Sequence, residues 1–170
     1  MSLEEARQRY NDSKSRLTNK THQMETHQME TGYRMSLQAS ATIKVYISSE
    51  VPQEWRAAIG QAVNNWNYIN SNINLTLVDS EGTATTIISM YTDTASRAIA
   101  YAQYPNDGKP GSYMKINTSY NNISPSRKVF VVTHEFGHNF GLDHTNNGSR
   151  LIDCTPTVDE ASIMNSVVSE

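Results

Sequence analysis

Cysteine is almost missing from these 170 residues: Cys154 stands alone. No intrachain disulfide can form, which excludes a disulfide-stapled scaffold, and a lone cysteine reads as a small buried side chain rather than a ligand or nucleophile. Long apolar runs are missing too. No stretch approaches the roughly 20 residues that span a bilayer, and the opening MSLEEARQRYNDSKSRLTNK lacks the apolar segment of a signal peptide. Neither sign of charge dominates. The 14 Lys and Arg against 17 Asp and Glu leave a net charge of -3, with no basic patch of the kind nucleic acid or an anionic membrane calls for. Charged residues make up only 18%, so polarity comes largely from Asn, Ser and Thr, and the length suits one domain with a core of its own.

What is present falls into two textures. Residues 1–38 are polar and contain the tandem THQMETHQMET, whose His22 and His27 lie five apart, which is not a helical face spacing. They are expected to form a flexible leader, tag or pro-segment, and residues 39–170 the domain. From Ala39 onward strand and helix signals alternate. Ile43, Val45 and Ile47 share one face of a strand in ATIKVYIS. After Pro52, Trp55, Ile59, Ala62, Val63, Trp66 and Ile69 recur at helical spacing, so the tryptophans are expected in the core. INLTLVDS and TTIISMY read as strands around a turn at Glu81 and Gly82, and AIAYAQY and YMKINTSY as two more joined by the turn-rich PNDGKPGS. Ser124 and Pro125 start a second long helix, with Val129, Phe130, Thr133, Phe136, Gly137 and Phe140 as its expected apolar stripe and Gly141 as its stop. The remainder reads as irregular. The fold class is therefore α+β, a twisted mixed sheet with a backing helix, a site-bearing helix and a small irregular C-terminal part.

The second helix carries the chemistry. His134 and His138 lie one turn apart, so both imidazoles can reach one ion at the roughly 2.0 to 2.1 Å of a zinc–nitrogen bond. Gly141 can adopt φ > 0 and turn the chain so that His144 meets the same ion. Three protein ligands leave a fourth position open, the arrangement of a catalytic zinc. Glu135 points to another side of the helix, where it can take a proton from water and return it to a departing amine. Five fixed residues in an eleven-residue window arise by chance at roughly one position in 20⁵, which argues against polar helix histidines satisfied by their neighbours.

The pattern HExxHxxGxxH resembles that of the metzincin zinc endopeptidases, and HEFGHNFGLDH is most similar to the bacterial dual-action HEIGH metallopeptidases, secondarily to the matrixins. The resemblance implies a zincin-like fold, one catalytic Zn²⁺, and a methionine turn beneath the metal, for which SIMN supplies Met164. It implies that AIAYAQYP is the edge strand along which substrate lies, with Ala100, Tyr101 and Ala102 as the substrate-binding positions. Tyr101 stands where a matrixin histidine binds a second, structural zinc, so that ion is not expected. Ser166 takes the place of the tyrosine that astacins and serralysins carry after the turn, so a tyrosine ligand is not expected either. Metzincins usually continue into a C-terminal helix, which the six residues after Met164 do not provide.

The expected function is zinc-dependent endopeptidase activity by a secreted or cell-surface monomer on a peptide or protein substrate, with no nucleic acid and no membrane span. Two alternatives stand beside it: a catalytically silent zinc-binding or adhesin module, or truncated remnant, and a zinc amidase or deamidase.

Overall fold

The computed structural model describes residues 33–145 and 162–165. The THQMET repeat, Cys154, Ser166 and most of the tail expected to be irregular lie outside these residues. In chain order the elements are α1 (Leu37–Ser40), β1 (Ile43–Ile47), α2 (Gln53–Tyr68), β2 (Leu75–Val78), β3 (Thr86–Tyr91), β4 (Ala100–Ala102), β5 (Tyr113–Asn117) and α3 (Pro125–Asn139), with 3-10 turns at Glu81–Thr83 and Thr118–Tyr120. The strands form one mixed sheet in the order β2-β1-β3-β5-β4. All neighbours are parallel except β4, which lies antiparallel to β5 at the edge. No helix among the described residues is long and apolar enough to cross a membrane.

Alternation places β1 as expected. Ile43 and Val45 are buried under the helices while Lys44 faces out. On α2, Trp55, Ile59, Ala62, Val63 and Trp66 are all buried, and each large side chain so placed stabilises the fold by about 1.5–3 kcal/mol. Trp66 marks the crossing of the two long helices: its ring meets Phe140 edge-on at 4.9 Å and its Nε1 donates to the Thr133 carbonyl at 3.0 Å. Ile69 does not extend the stripe. The backbone leaves the helix there (ψ 132) and Ile69 is 51% exposed. Asn67 instead closes the turn, accepting from the Leu75 N–H at 2.8 Å and donating to the Leu75 carbonyl at 2.9 Å, as a strand neighbour would.

The start of α3 follows the sequence, with the Ser124 Oγ accepting from the Arg127 N–H and Pro125 in the first turn. Its buried face does not. Val131 and Val132 are buried together with Phe136, Gly137 and Phe140, whereas Val129, Phe130 and Thr133 are only half-buried. The reason is that α3 is covered twice, by α2 on one side and by β4 and β5 on the other, so its contact surface is broader than one stripe.

Residues 33–38, expected in the leader, are joined to the domain. The Ser36 N–H donates to the Gly108 carbonyl at 2.8 Å, the Ser36 hydroxyl caps α1, and Asn72 Nδ2 donates to the Leu37 carbonyl.

Candidate metal centre

The last turns of α3 end in a left-handed cap. The Gly141 N–H donates to the His138 carbonyl at 3.0 Å and the Leu142 N–H to the Gly137 carbonyl at 2.9 Å, with Gly141 at φ 99. Any side chain at Gly141 would also overlap the Tyr33 carbonyl oxygen. The turn does what the spacing predicts and delivers His144 against the helix. The Nε2 atoms of His134 and His138 each lie 3.1 Å from the His144 Nε2.

The two helix histidines are fixed by backbone carbonyls behind them. His134 Nδ1 lies 2.7 Å from the Ile163 oxygen and His138 Nδ1 2.9 Å from the Leu142 oxygen. A carbonyl can only accept, so each Nδ1 carries the proton and each Nε2 presents a lone pair. Tetrahedral bonds of about 2.0–2.1 Å set ligand nitrogens about 3.3 Å apart. The observed separations and the tautomers therefore fit one zinc ion on His134, His138 and His144, the only group of metal-ligating side chains of this kind among the described residues. Burial lowers the His134 pKa from 6.5 to about 4 and lowers that of His138 as well, so both are neutral and ready to coordinate at neutral pH.

Met164 lies under the same helix, 4% exposed. A Cβ on Gly137 would overlap the Met164 sulfur, so this glycine sets how closely the methionine turn approaches. The turn in return holds the site: Ile163 orients His134, and the Met164 carbonyl accepts from the Thr145 N–H at 3.0 Å, directly after the third histidine.

Glu135 is buried beside the histidines. The Ala102 N–H donates to its carboxylate, while Oε2 has no hydrogen-bond partner among the described residues. Burial, against the weaker opposing effect of that N–H, raises its pKa from 4.5 to about 7. Glu135, the three histidines, Ala100, Tyr101 and Ala102 all line one cleft. On β4, the Gln103 N–H and Ile99 carbonyl bond to β5, and Tyr101 pairs with Lys115. Alternation in an antiparallel pair then turns the backbone groups of Ala100 and Ala102 away from β5, the side on which the Ala102 N–H meets Glu135. The Tyr101 ring stands among Tyr91 and Tyr113, with centroids 5.0 and 6.1 Å away.

Three residues that the sequence did not single out complete the centre. Asn139, fully buried, donates from Nδ2 to the Gln103 and Tyr113 carbonyls at 2.8 and 3.1 Å, and its main-chain carbonyl accepts from the Gly111 N–H, joining the end of α3 to β4 and β5. Gly111 permits this approach, since a Cβ there would overlap the Gln103 carbonyl and Asn139 Nδ2. Tyr104 lies edge-on to His138 at 5.3 Å, its hydroxyl reaching Asp143 at 3.3 Å, and burial with the Asp143 charge pushes its pKa up to about 12. Only a polar residue directly after the second helix histidine, and a tyrosine just past the edge strand, hinted at these roles.

A mixed sheet whose edge strand borders a three-histidine helix defines a zincin-like metallopeptidase scaffold. The chain belongs to the dual-action HEIGH metallo-peptidase family, whose sequence model matches residues 3–168. No curated protein matches it. Among solved structures it is similar to that of myroilysin, at 22% identity and a TM-score of 0.51, covering 69% of this chain and 55% of that one. It is also similar to high choriolytic enzyme 1, a hatching enzyme zinc-protease from the medaka fish Oryzias latipes, at 18% identity and a TM-score of 0.44, covering 67% of this chain and 50% of that one. The likeness to myroilysin shows a shared fold, and the chain spans about half the length of these structures.

Proposed function

We propose that the chain is a zinc-dependent endopeptidase acting on an extended peptide laid along β4. The observation that carries this reading is the meeting, in one cleft, of three converging Nε2 atoms with a buried carboxylate whose Oε2 has no partner. The cleft measures about 970 Å³, at the upper end of the range for small-molecule sites and suited to several residues of a peptide. The open edge of β4 supplies main-chain groups to pair with such a segment.

Bound zinc supplies Lewis acidity that polarises a peptide carbonyl and makes water acidic near neutral pH. The chain's own residues do the rest. His134 and His138 keep their lone pairs aimed forward through the Ile163 and Leu142 carbonyls. Glu135 Oε2 takes a proton from the attacking water and hands it to the amine nitrogen as the C–N bond breaks. The Ala102 N–H holds the carboxylate in place and ties the base to the strand on which the substrate rests.

Incubation with casein, with and without a chelator, tests the reading. Cleavage that stops on chelation and returns with zinc supports it. Stoichiometric zinc without cleavage of casein or of a peptide library would make the chain a silent zinc module, and ammonia release without chain cleavage would make it an amidase.

A further inference from the structure

One end of the cleft is positively charged. Arg97, just ahead of β4, and Arg127, in the first turn of α3, both line it. Neither side chain has a hydrogen bond or ion pair among the described residues. Arg127 is the more telling of the two, because its Nε is buried without a partner. A buried guanidinium N–H lacking an acceptor is costly, and the acceptor that matches a guanidinium fork is a carboxylate. The chain as a whole carries a net charge of -3, so this end is not part of a generally basic surface.

Its distance from the chemistry follows from the helix. Arg127 precedes His134 by seven residues, about 10 Å along the axis at 1.5 Å per residue. An extended peptide advances about 3.3 Å per residue, so this rise along the helix corresponds to about three substrate residues between Arg127 and the metal centre, and Arg97 lines the same cleft. Phe130 and Val131 fill the interval with apolar surface. From this arrangement we infer that the Arg97–Arg127 end is a carboxylate subsite, which selects peptides carrying a negative charge within three residues of the cleaved bond. The charge is either an Asp or Glu side chain or the C-terminal carboxylate of the substrate. The inference rests on the peptidase reading for its register but not for its binding chemistry.

The test uses peptide pairs that differ by Glu against Gln at each of three positions on either side of the cleaved bond, each made with a free and an amidated C-terminus. Two readouts run in parallel: kcat/KM with the zinc-loaded protein, and binding by fluorescence anisotropy to zinc-loaded Glu135→Gln protein. The expected result is a preference on the order of tenfold for the charged member at one position, weakened by salt and reduced in both Arg127→Gln and Arg97→Gln. Arg97 is exposed, so its variant keeps the test valid if Arg127→Gln fails to fold. A preference that follows Glu identifies a side-chain subsite, and one that follows the free terminus identifies a terminal-carboxylate subsite. Equal binding and equal cleavage of every pair, or a preference that survives both variants, overturns the inference. Discrimination in binding without any cleavage sinks the peptidase reading alone, and cleavage without discrimination sinks the subsite alone.

Discussion

Replacing Glu135 by Gln should separate two properties that this carboxylate links. The side chain is 7% exposed, and burial raises its pKa from 4.5 to about 7. At 1.36 kcal/mol per pH unit, the ionised form therefore lowers the stability of the metal-free protein by about 3 kcal/mol. The folded state holds the proton more tightly than the unfolded chain does. Stability is then highest below pH 4.5, falls as pH rises toward 7, and levels off above that. Glutamine has nearly the same shape and no charge to bury. Metal-free Glu135→Gln should consequently melt about 6 to 12 °C above the parent at pH 8.5, at 2–4 °C per kcal/mol for a chain of this size, and close to it at pH 4.5. Differential scanning calorimetry of the two chelated proteins at both pH values measures this. The same variant should lose peptide hydrolysis by at least 10²- to 10⁴-fold while zinc stays near one per chain. A stability difference that does not change between pH 4.5 and 8.5 would refute the claim that the ionised carboxylate is held without adequate compensation. Retained hydrolysis would refute its role as the base.

Asn139→Ala removes two buried hydrogen bonds, one from the Gln103 carbonyl and one from the Tyr113 carbonyl, which keeps its bond from the Gln103 N–H, so urea unfolding should show a loss of about 2–3 kcal/mol. A loss below 1 kcal/mol would mean that β4 is held by other contacts. Gly137→Ala should destabilise the parent, because the new methyl overlaps the Met164 sulfur. In a Met164→Ala background the same change should be neutral or stabilising by up to about 1 kcal/mol, the helix-propensity gain of alanine, and a double-mutant cycle with no coupling would argue against their contact. Since His134 is held at about 4 and His138 is also lowered, zinc uptake between pH 5.5 and 7 should release far fewer than three protons per ion, as isothermal titration in buffers of different ionisation enthalpy would show.

Local chemistry was readable in the sequence wherever a short-range rule applied. Strand alternation at Ile43 and Val45, the Ser124–Pro125 helix start, and the Gly141 turn that recruits His144 each depend on a few adjacent residues. What escaped depends on how many surfaces meet an element. The first half of the α3 stripe differs from its spacing because a helix covered on two sides shows no single apolar face, and periodicity at Ile69 does not reveal that Asn67 already pairs with Leu75. Asn139 and Gly111 are silent for the same reason, and Gly137, read only as part of the stripe, gives no sign of its contact with Met164. Their neighbours are 26 to 36 residues away for Asn139 and lie beyond Leu142 for Gly137, so nothing at short range marks them.

Those silent residues explain why the metal centre and the edge strand form one unit. Consecutive positions on α3 face different partners: His138 turns to the metal, and Asn139 reaches the carbonyls on either side of the β4–β5 connection. One turn earlier, His134 turns to the metal while Glu135 accepts from the Ala102 N–H on β4. The helix thus touches the strand twice, through Glu135 and through Asn139, at points four residues apart that alternate with the ligands. A shift of β4 along or away from α3 would break both contacts and part the strand from Glu135. In the reaction proposed above, the placing of Glu135 against the peptide would then depend on these side-chain bonds to the backbone of β4 and Gln103, so the residues between the histidines of the motif are as much a part of the site as the histidines themselves.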